Sequence, residues 1–204
     1  MLSPVLGLTG PTGAGKSTVA AALKKLGCAV VDADRLAREA VAMPECRAAL
    51  QAEFGADIVK PDGTLDRRLL ARRAFSNPER TKALNRITHP AIIKESVRRL
   101  RQAQETGAAA VILDAPLLFE SGAESLCDAT IAVVAPDAVR LARVMARDGI
   151  AAEQAEERMR VQHGVSYFEE HADYTFDGTA DWSVFDGAVK ALLERILRDL
   201  YEKS

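Results

Sequence analysis

The stretch VLGLTGPTGAGKST, residues 5–18, decides how the rest of the chain is read. Val5-Leu6-Gly7-Leu8 is a short apolar run suited to a buried strand, and Val19-Ala20-Ala21-Ala22-Leu23 has helical character. Between them lies Gly10-x-x-x-x-Gly15-Lys16-Ser17, the spacing of a phosphate-binding loop in its required strand–loop–helix context. Gly10, Gly13 and Gly15 free the backbone to curl around an anion with its N–H groups pointing inward. The helix that begins there adds about half a positive charge at its N-terminus. Gly13, Ala14, Gly15, Lys16, Ser17 and Thr18 are therefore the candidate nucleotide-binding residues. Lys16 is expected to reach the β- and γ-phosphates, and the Ser17 hydroxyl to bind Mg²⁺. The loop leaves open whether the terminal phosphoryl group goes to water, to a partner protein or to a small molecule.

The chain has 204 residues, enough for one α/β domain with an insertion or two. Its 48% hydrophobic content supplies a core, and nothing basic precedes Lys16, so a signal peptide's charged region is not expected. The longest apolar runs, such as residues 108–113, fall far short of a membrane span. Cys28, Cys46 and Cys127 are odd in number and too scattered for a zinc cluster, which suits small buried residues in a reducing cytosol. The expectation is a cytoplasmic protein with no membrane partner. A net charge of −2 hides an asymmetry: residues 66–101 hold eleven Lys/Arg against Asp66, Glu79 and Glu95, so this block carries +8. Such one-sided charge suggests a surface that meets an anion, although part of it is a solvated helical face.

Apolar, β-rich runs recur at 5–9, 28–32, 109–114, 130–134 and 174–177, separated by helical patterns. Strands alternating with helices predict a doubly wound α/β fold, a three-layer sandwich around a five-stranded parallel sheet. The interval from about 33 to 108 exceeds what one crossover helix needs. Its patterns predict helices over 35–41, 45–54, 66–75, 78–87 and 90–105. The expected organisation is a core of 1–59 and 106–204, a helical insertion over about 60–105, and a small lid over about 147–165. Function should gather at the carboxyl ends of the strands.

Val30-Val31-Asp32-Ala33-Asp34 ends an apolar strand in Asp-x-Asp, and extended geometry would place both carboxylates on one side. Either could take a proton from an acceptor hydroxyl or hold Mg²⁺ through water, while one of the pair could equally cap the next helix. Asp114, at the end of Val111-Ile112-Leu113, is either a magnesium-shell residue or a strand-end hydrogen bonder. Arg140, Arg143 and Arg147 recur at helical spacing, and Arg143 and Arg147 are candidate phosphate contacts. The segment after Gly149 suits a hinged lid that excludes water.

These residues together resemble the dephospho-CoA kinases, a branch of the P-loop kinases similar to nucleoside monophosphate kinases. The resemblance runs from Leu6 to about Leu193. Its carriers are Gly10 to Thr18, Asp32-Ala33-Asp34, Phe54-Gly55, Asp62-Gly63-Thr64-Leu65-Asp66-Arg67, His89-Pro90-Ala91-Ile92, Pro116-Leu117-Leu118-Phe119-Glu120, Arg143 with Arg147, and Ala172-Asp173-Tyr174. It implies transfer of the γ-phosphoryl group of ATP to the ribose 3′-hydroxyl of dephospho-CoA, the last step of coenzyme A synthesis, with Mg²⁺ as cofactor. It also implies Asp34 as catalytic base, Lys16 and Arg143 as phosphate-stabilising cations, and Asp34, Arg67, His89 and Leu117 as substrate-binding residues. The inserted helices match the family's substrate domain, and a monomer or weak homo-oligomer is expected. The family often has Gln where Arg140 stands and Asn where Gly178 stands, and Pro11-Thr12 replaces its more usual Gly and bulky apolar residue.

Other readings fit less well. A GTPase switch needs an Asn-Lys-x-Asp guanine reader, which the chain lacks. A nucleic-acid-dependent ATPase would want aromatic residues among its charges, and Phe75 is the only one between 55 and 118, so no nucleic-acid partner is expected. A kinase for another small hydroxyl or for a nucleoside monophosphate shares the scaffold and is the runner-up.

Overall fold

The computed structural model describes residues 2–202, apart from the side chain of Trp182. The chain divides into two compact units, residues 2–32 with 100–202, and residues 33–99.

The first unit is built on five strands: β1 (Val5–Thr9), β2 (Ala29–Asp32), β3 (Val111–Asp114), β4 (Ala129–Val134) and β5 (Tyr174–Asp177). They pair in the order β2-β3-β1-β4-β5, and every pairing is parallel. The expected five-stranded parallel sheet is present. Its central strands are apolar because both faces are covered: all five residues of β1 are buried. Leu6 and Leu8 join Ile112, Ile131 and Val133 in a core with Val19 and Leu23 of α1 (Lys16–Lys25) and Val189 and Ile196 of α9 (Trp182–Glu202). On the opposite side Gly7 lies against Leu118 and Cys127, where a Cβ would stand 2.7 Å from Leu118 Cδ2. The unit also carries α6 (Asp137–Asp148), α7 (Ala152–Arg160) and α8 (Val165–His171).

The strand order sets the position of the site. From β1 the chain passes through α1 to β2 at one edge, whereas from β3 it passes to β4 on the other side of β1. The adjacent carboxyl ends of β1 and β3 therefore flank a switch point, where α/β sheets leave a crevice for ligands. The phosphate loop follows β1, and Asp114 closes β3.

The second unit contains α2 (Ala33–Ala42), α3 (Pro44–Phe54), a 3₁₀ turn (Ala56–Ile58), α4 (Arg67–Ala74) and most of α5 (Pro78–Gln104). Cys46, Leu50, Phe54, Ile58, Leu70, Ala74 and Ala83 form its own core. Because α3 and the 3₁₀ turn supply four of those seven core residues, the compact helical unit begins at Ala33, earlier than the residue near 60 anticipated for the insertion.

Three expectations need correction. The helices expected over 78–87 and 90–105 are one helix, α5, with Pro90 inside it. Proline removes one ladder hydrogen bond but does not end a helix whose remaining turns are packed, and Thr88 Oγ1 donates to Leu84 O at 2.9 Å just before it. Asp32 and Asp34 are not neighbours along one extended strand, because β2 stops at Asp32 and Asp34 stands in the first turn of α2. Helix α8 was not anticipated. It is too short to show helical periodicity, and only Phe168 within it is buried.

The cysteines are free thiols, and no helix among the described residues is long and apolar enough to cross a membrane. Burial pushes Cys28 up to about 11 and Cys127 up to about 12, which leaves both as unreactive thiols.

Candidate active site

Gly15 caps α1 at φ 106°, with no side-chain hydrogen bond to the helix end. The first N–H groups of α1 thus have no intrahelical acceptor and no capping side chain, which suits them to an anion. Gly13 has φ 80°, and a Cβ there would stand 2.6 Å from the Arg140 carbonyl oxygen, so only glycine lets the loop rest on the backbone of α6. The β5–α9 connection approaches from the other side. A Cβ on Gly178 would collide with the Ala14 carbonyl oxygen. Gly178 therefore has a steric role: at this separation a larger residue does not fit.

A cavity of about 670 Å³ opens over this loop, lined by Lys16, Ser17, Arg143, Arg147, Gln162 and Asp181 among others. Its size suits a nucleotide-sized ligand. The Lys16 ammonium is ion-paired with the Asp114 carboxylate across the switch point, both side chains about one-fifth exposed. This pairing holds the lysine at the mouth of the loop, and it shows Asp114 as a partner of Lys16 at the strand end. Ser17 presents an exposed hydroxyl in the first turn of α1.

The three arginines of α6 do not share one surface role. Arg140 is only 2% exposed; its Nε donates to Thr12 O at 3.0 Å and its Nη1 to Asp137 at 2.8 Å. Burial lowers its pKa, partly offset by Asp137. Arg143 Nη1 donates to Gly13 O at 3.3 Å and to Ala14 O at 3.2 Å, while Nη2 donates to Gly178 O at 2.9 Å. It ties the phosphate loop to the β5–α9 connection and lines the cavity. Arg147 is held bidentately by Asp148, at 2.8 and 2.9 Å, and Asp148 also accepts from Arg158 of α7 at 2.6 Å. Asp148 is accordingly held below the usual carboxylate range, first by its hydrogen bond from Arg147.

The structure brings the candidates Gly13, Gly15, Lys16, Ser17, Thr18, Arg143 and Arg147 to one cavity. Ala14 is buried, and its carbonyl contributes to the Arg143 tie. Leu117 is 57% exposed in the loop after β3. Asp34, Arg67 and His89 belong to the helical unit. There Arg67 Nη2 donates to Arg38 O at 3.2 Å and Arg38 Nε donates to Asp34 O at 3.1 Å. Arg67 thus rests against the turn of α2 that follows Asp34. His89 is exposed on α5.

Sequence reading missed Gln162, which follows α7 and whose Oε1 accepts from the Thr12 N–H at 2.9 Å. No residue-type signal marks a lone glutamine at a helix end. The role of Gly178 was legible only as a position beyond a strand's carboxyl end.

Comparison with known proteins agrees with this geometry. The family model for dephospho-CoA kinase matches residues 4–182. A dephospho-CoA kinase of Moorella thermoacetica is 47% identical over 161 residues, covering 78% of this chain and 76% of the relative. One from Syntrophotalea carbinolica is 40% identical over 194 residues, covering 95% of this chain and 92% of the relative. A crystal structure from Thermus thermophilus is similar with a TM-score of 0.78 and 36% identity, covering 98% of this chain and 99% of that one. With the phosphate loop, its strand order and these relatives in agreement, the chain belongs to the dephospho-CoA kinase family.

Proposed function

We propose that the protein transfers the γ-phosphoryl group of ATP to the ribose 3′-hydroxyl of dephospho-CoA, giving CoA and ADP. The observation that carries the reading is the Lys16–Asp114 ion pair at the mouth of the uncapped phosphate loop. It keeps one mobile cation where the β- and γ-phosphates would lie, ready to exchange a carboxylate for a phosphate oxygen.

In this reading the loop N–H groups orient the triphosphate, and Lys16 follows the charge that develops on the transferring group. Asp34 takes the proton of the 3′-hydroxyl as its oxygen bonds to the γ-phosphorus. The bond from that phosphorus to the bridging oxygen breaks, and ADP leaves with the electron pair. Asp34 suits the task because it is exposed in the first turn of α2, open to an acceptor hydroxyl. Arg143 supports the phosphates from the α6 side and Arg147 joins it after releasing Asp148. Arg67, His89 and Leu117 contact the acceptor.

The donor set fits Mg²⁺. No group of three or more His, Cys, Asp or Glu residues among the described residues is arranged to hold a metal, whereas Mg²⁺ needs only one or two protein oxygens beside substrate phosphates. The Ser17 hydroxyl would supply one, and bound Mg²⁺ would neutralise charge on the β- and γ-oxygens. Residues 147–165 act as a lid that keeps water from the phosphoryl group, and the protein works in the cytoplasm as a monomer or weak homo-oligomer.

Asp34→Asn tests the assignment of the base, because it keeps shape and removes the proton acceptor. Turnover should fall about 10²–10⁴-fold with ATP affinity unchanged. A mild effect there together with a crippled Asp32→Asn enzyme would transfer the role to Asp32.

A further inference from the structure

Thr12 is held from two directions. Arg140 Nε donates to its carbonyl oxygen at 3.0 Å, and Gln162 Oε1 accepts from its N–H at 2.9 Å. The peptide joining Thr12 to Gly13 is planar and trans, so its N–H points opposite to its carbonyl. A guanidinium that draws Thr12 O toward α6 therefore aims the Gly13 N–H the other way. Gly13 itself rests on the Arg140 carbonyl. Arg143 acts in the same sense two residues on: by binding Ala14 O it orients the Gly15 N–H.

Arg140 is a costly way to fill space. Its side chain is 2% exposed, its ion-pair partner Asp137 is 78% exposed, and its Nη2 is buried with no hydrogen-bond partner among the described residues. A charge so placed is poor for stability, and an apolar residue of similar volume would serve a purely structural role as well or better. Thr12 and Arg140 are in direct contact although 128 positions apart. Gln162 is an exposed side chain, carried on a segment whose neighbour His163 stacks on Tyr167 at 3.8 Å and 16°.

We propose that Arg140 and Gln162 are positioning residues for nucleotide binding, which grip the peptides on either side of Thr12 and hold the phosphate-loop N–H groups in register for the triphosphate. The proposal rests on the reading of this loop as the ATP site. It assigns Gln162 a second consequence: the lid segment and the phosphate loop are joined through one hydrogen bond, so the lid senses the loop's conformation.

The test is direct ATP binding by titration calorimetry, without acceptor, on single and double variants. Arg140→Met should weaken ATP at least about tenfold, because a hydrogen bond from a charged donor is lost, while the melting temperature stays level or rises. Arg140→Gln, whose amide still donates to a carbonyl, should recover most of that loss. Gln162→Ala should weaken ATP by about three- to tenfold, and the double variant should lose less than the product of the single effects, since both act on one residue. The KM for dephospho-CoA should stay within about twofold of the parent. Unchanged ATP affinity in Arg140→Met and Gln162→Ala overturns the proposal, as does tighter binding in Gln162→Ala. If Arg140→Met does not fold, Gln162→Ala decides alone. A wrong acceptor assignment would show instead as absent turnover in the parent enzyme, with these affinities unaffected.

Discussion

Arginines in the sheet unit and arginines in the helical unit have different partners. Around the phosphate loop, Arg140 and Arg143 donate to backbone carbonyls of residues 12, 13, 14 and 178. In the helical unit six cations hold carboxylates, among them Arg73, which grips Asp57 through two bonds of 2.6 Å, Arg80, which meets Glu53, and Arg99, which meets both Glu95 and Glu39. The first arrangement shapes a backbone for a ligand. The second neutralises charge within the fold. Fourteen Lys/Arg against nine Asp/Glu leave the helical unit at +5, and among the described residues Arg38, Arg47, Lys60, Arg67, Arg68, Arg72, Arg86 and Lys94 have no carboxylate ion pair. A block of positive charge in a sequence thus overstates the field its fold presents.

That contrast breaks most sharply at Lys16, the one loop cation paired with a carboxylate. Lys16→Ala should lower turnover by about 10²–10³-fold, with circular dichroism unchanged, because the loop backbone is held by other residues. Near-normal turnover would remove Lys16 from the chemistry. Gly178→Ala comes next. The added methyl meets the Ala14 carbonyl, and relieving that clash should cost about 1–3 kcal/mol, read as weaker ATP binding or a lower melting temperature. A neutral substitution would mean that the two loops separate freely.

In the helical unit the expected effects are smaller and of another kind. Arg67→Ala should raise the KM for dephospho-CoA by about tenfold and leave that for ATP unchanged, since Arg67 is bound to a backbone carbonyl beside Asp34 and to no carboxylate. An effect on ATP alone would move this unit to the donor side. Glu95→Gln should touch stability only. Hydrogen bonds from Arg98 and then Arg99 lower Glu95 to about 2 from its ordinary 4.5. The stabilisation is therefore full above about pH 4.5 and is lost as pH falls toward 2. Glu95→Gln should cost about 1.5–3 kcal/mol at neutral pH and flatten the fall in melting temperature across that window. Reduced turnover with undiminished stability would contradict this division of labour.

What the sequence made legible follows the same divide. Strands and phosphate loop were readable because their signals are local: five buried residues in β1, a fixed glycine spacing, and a lysine whose place is set by the helix it begins. Asp34 was singled out with Asp32, but the geometry of the pair was misread, since an apolar strand does not announce the residue at which it turns into helix. Pro90 suggested a break that packing overrides. Gln162 and the ties of Arg140 could not be read, because they join residues 150 and 128 positions apart through side chain and backbone. Such contacts carry no periodicity.

The central claim is that the phosphoryl group goes to the ribose hydroxyl of dephospho-CoA. The direct measurement is ADP release by the parent enzyme with ATP and Mg²⁺, comparing dephospho-CoA with a panel of nucleosides, nucleoside monophosphates and other alcohols. Release should be rapid with dephospho-CoA, with formation of CoA in equal amount, and little above background with the others. Equal or faster release with a nucleoside monophosphate or another alcohol, or with water alone, would contradict it.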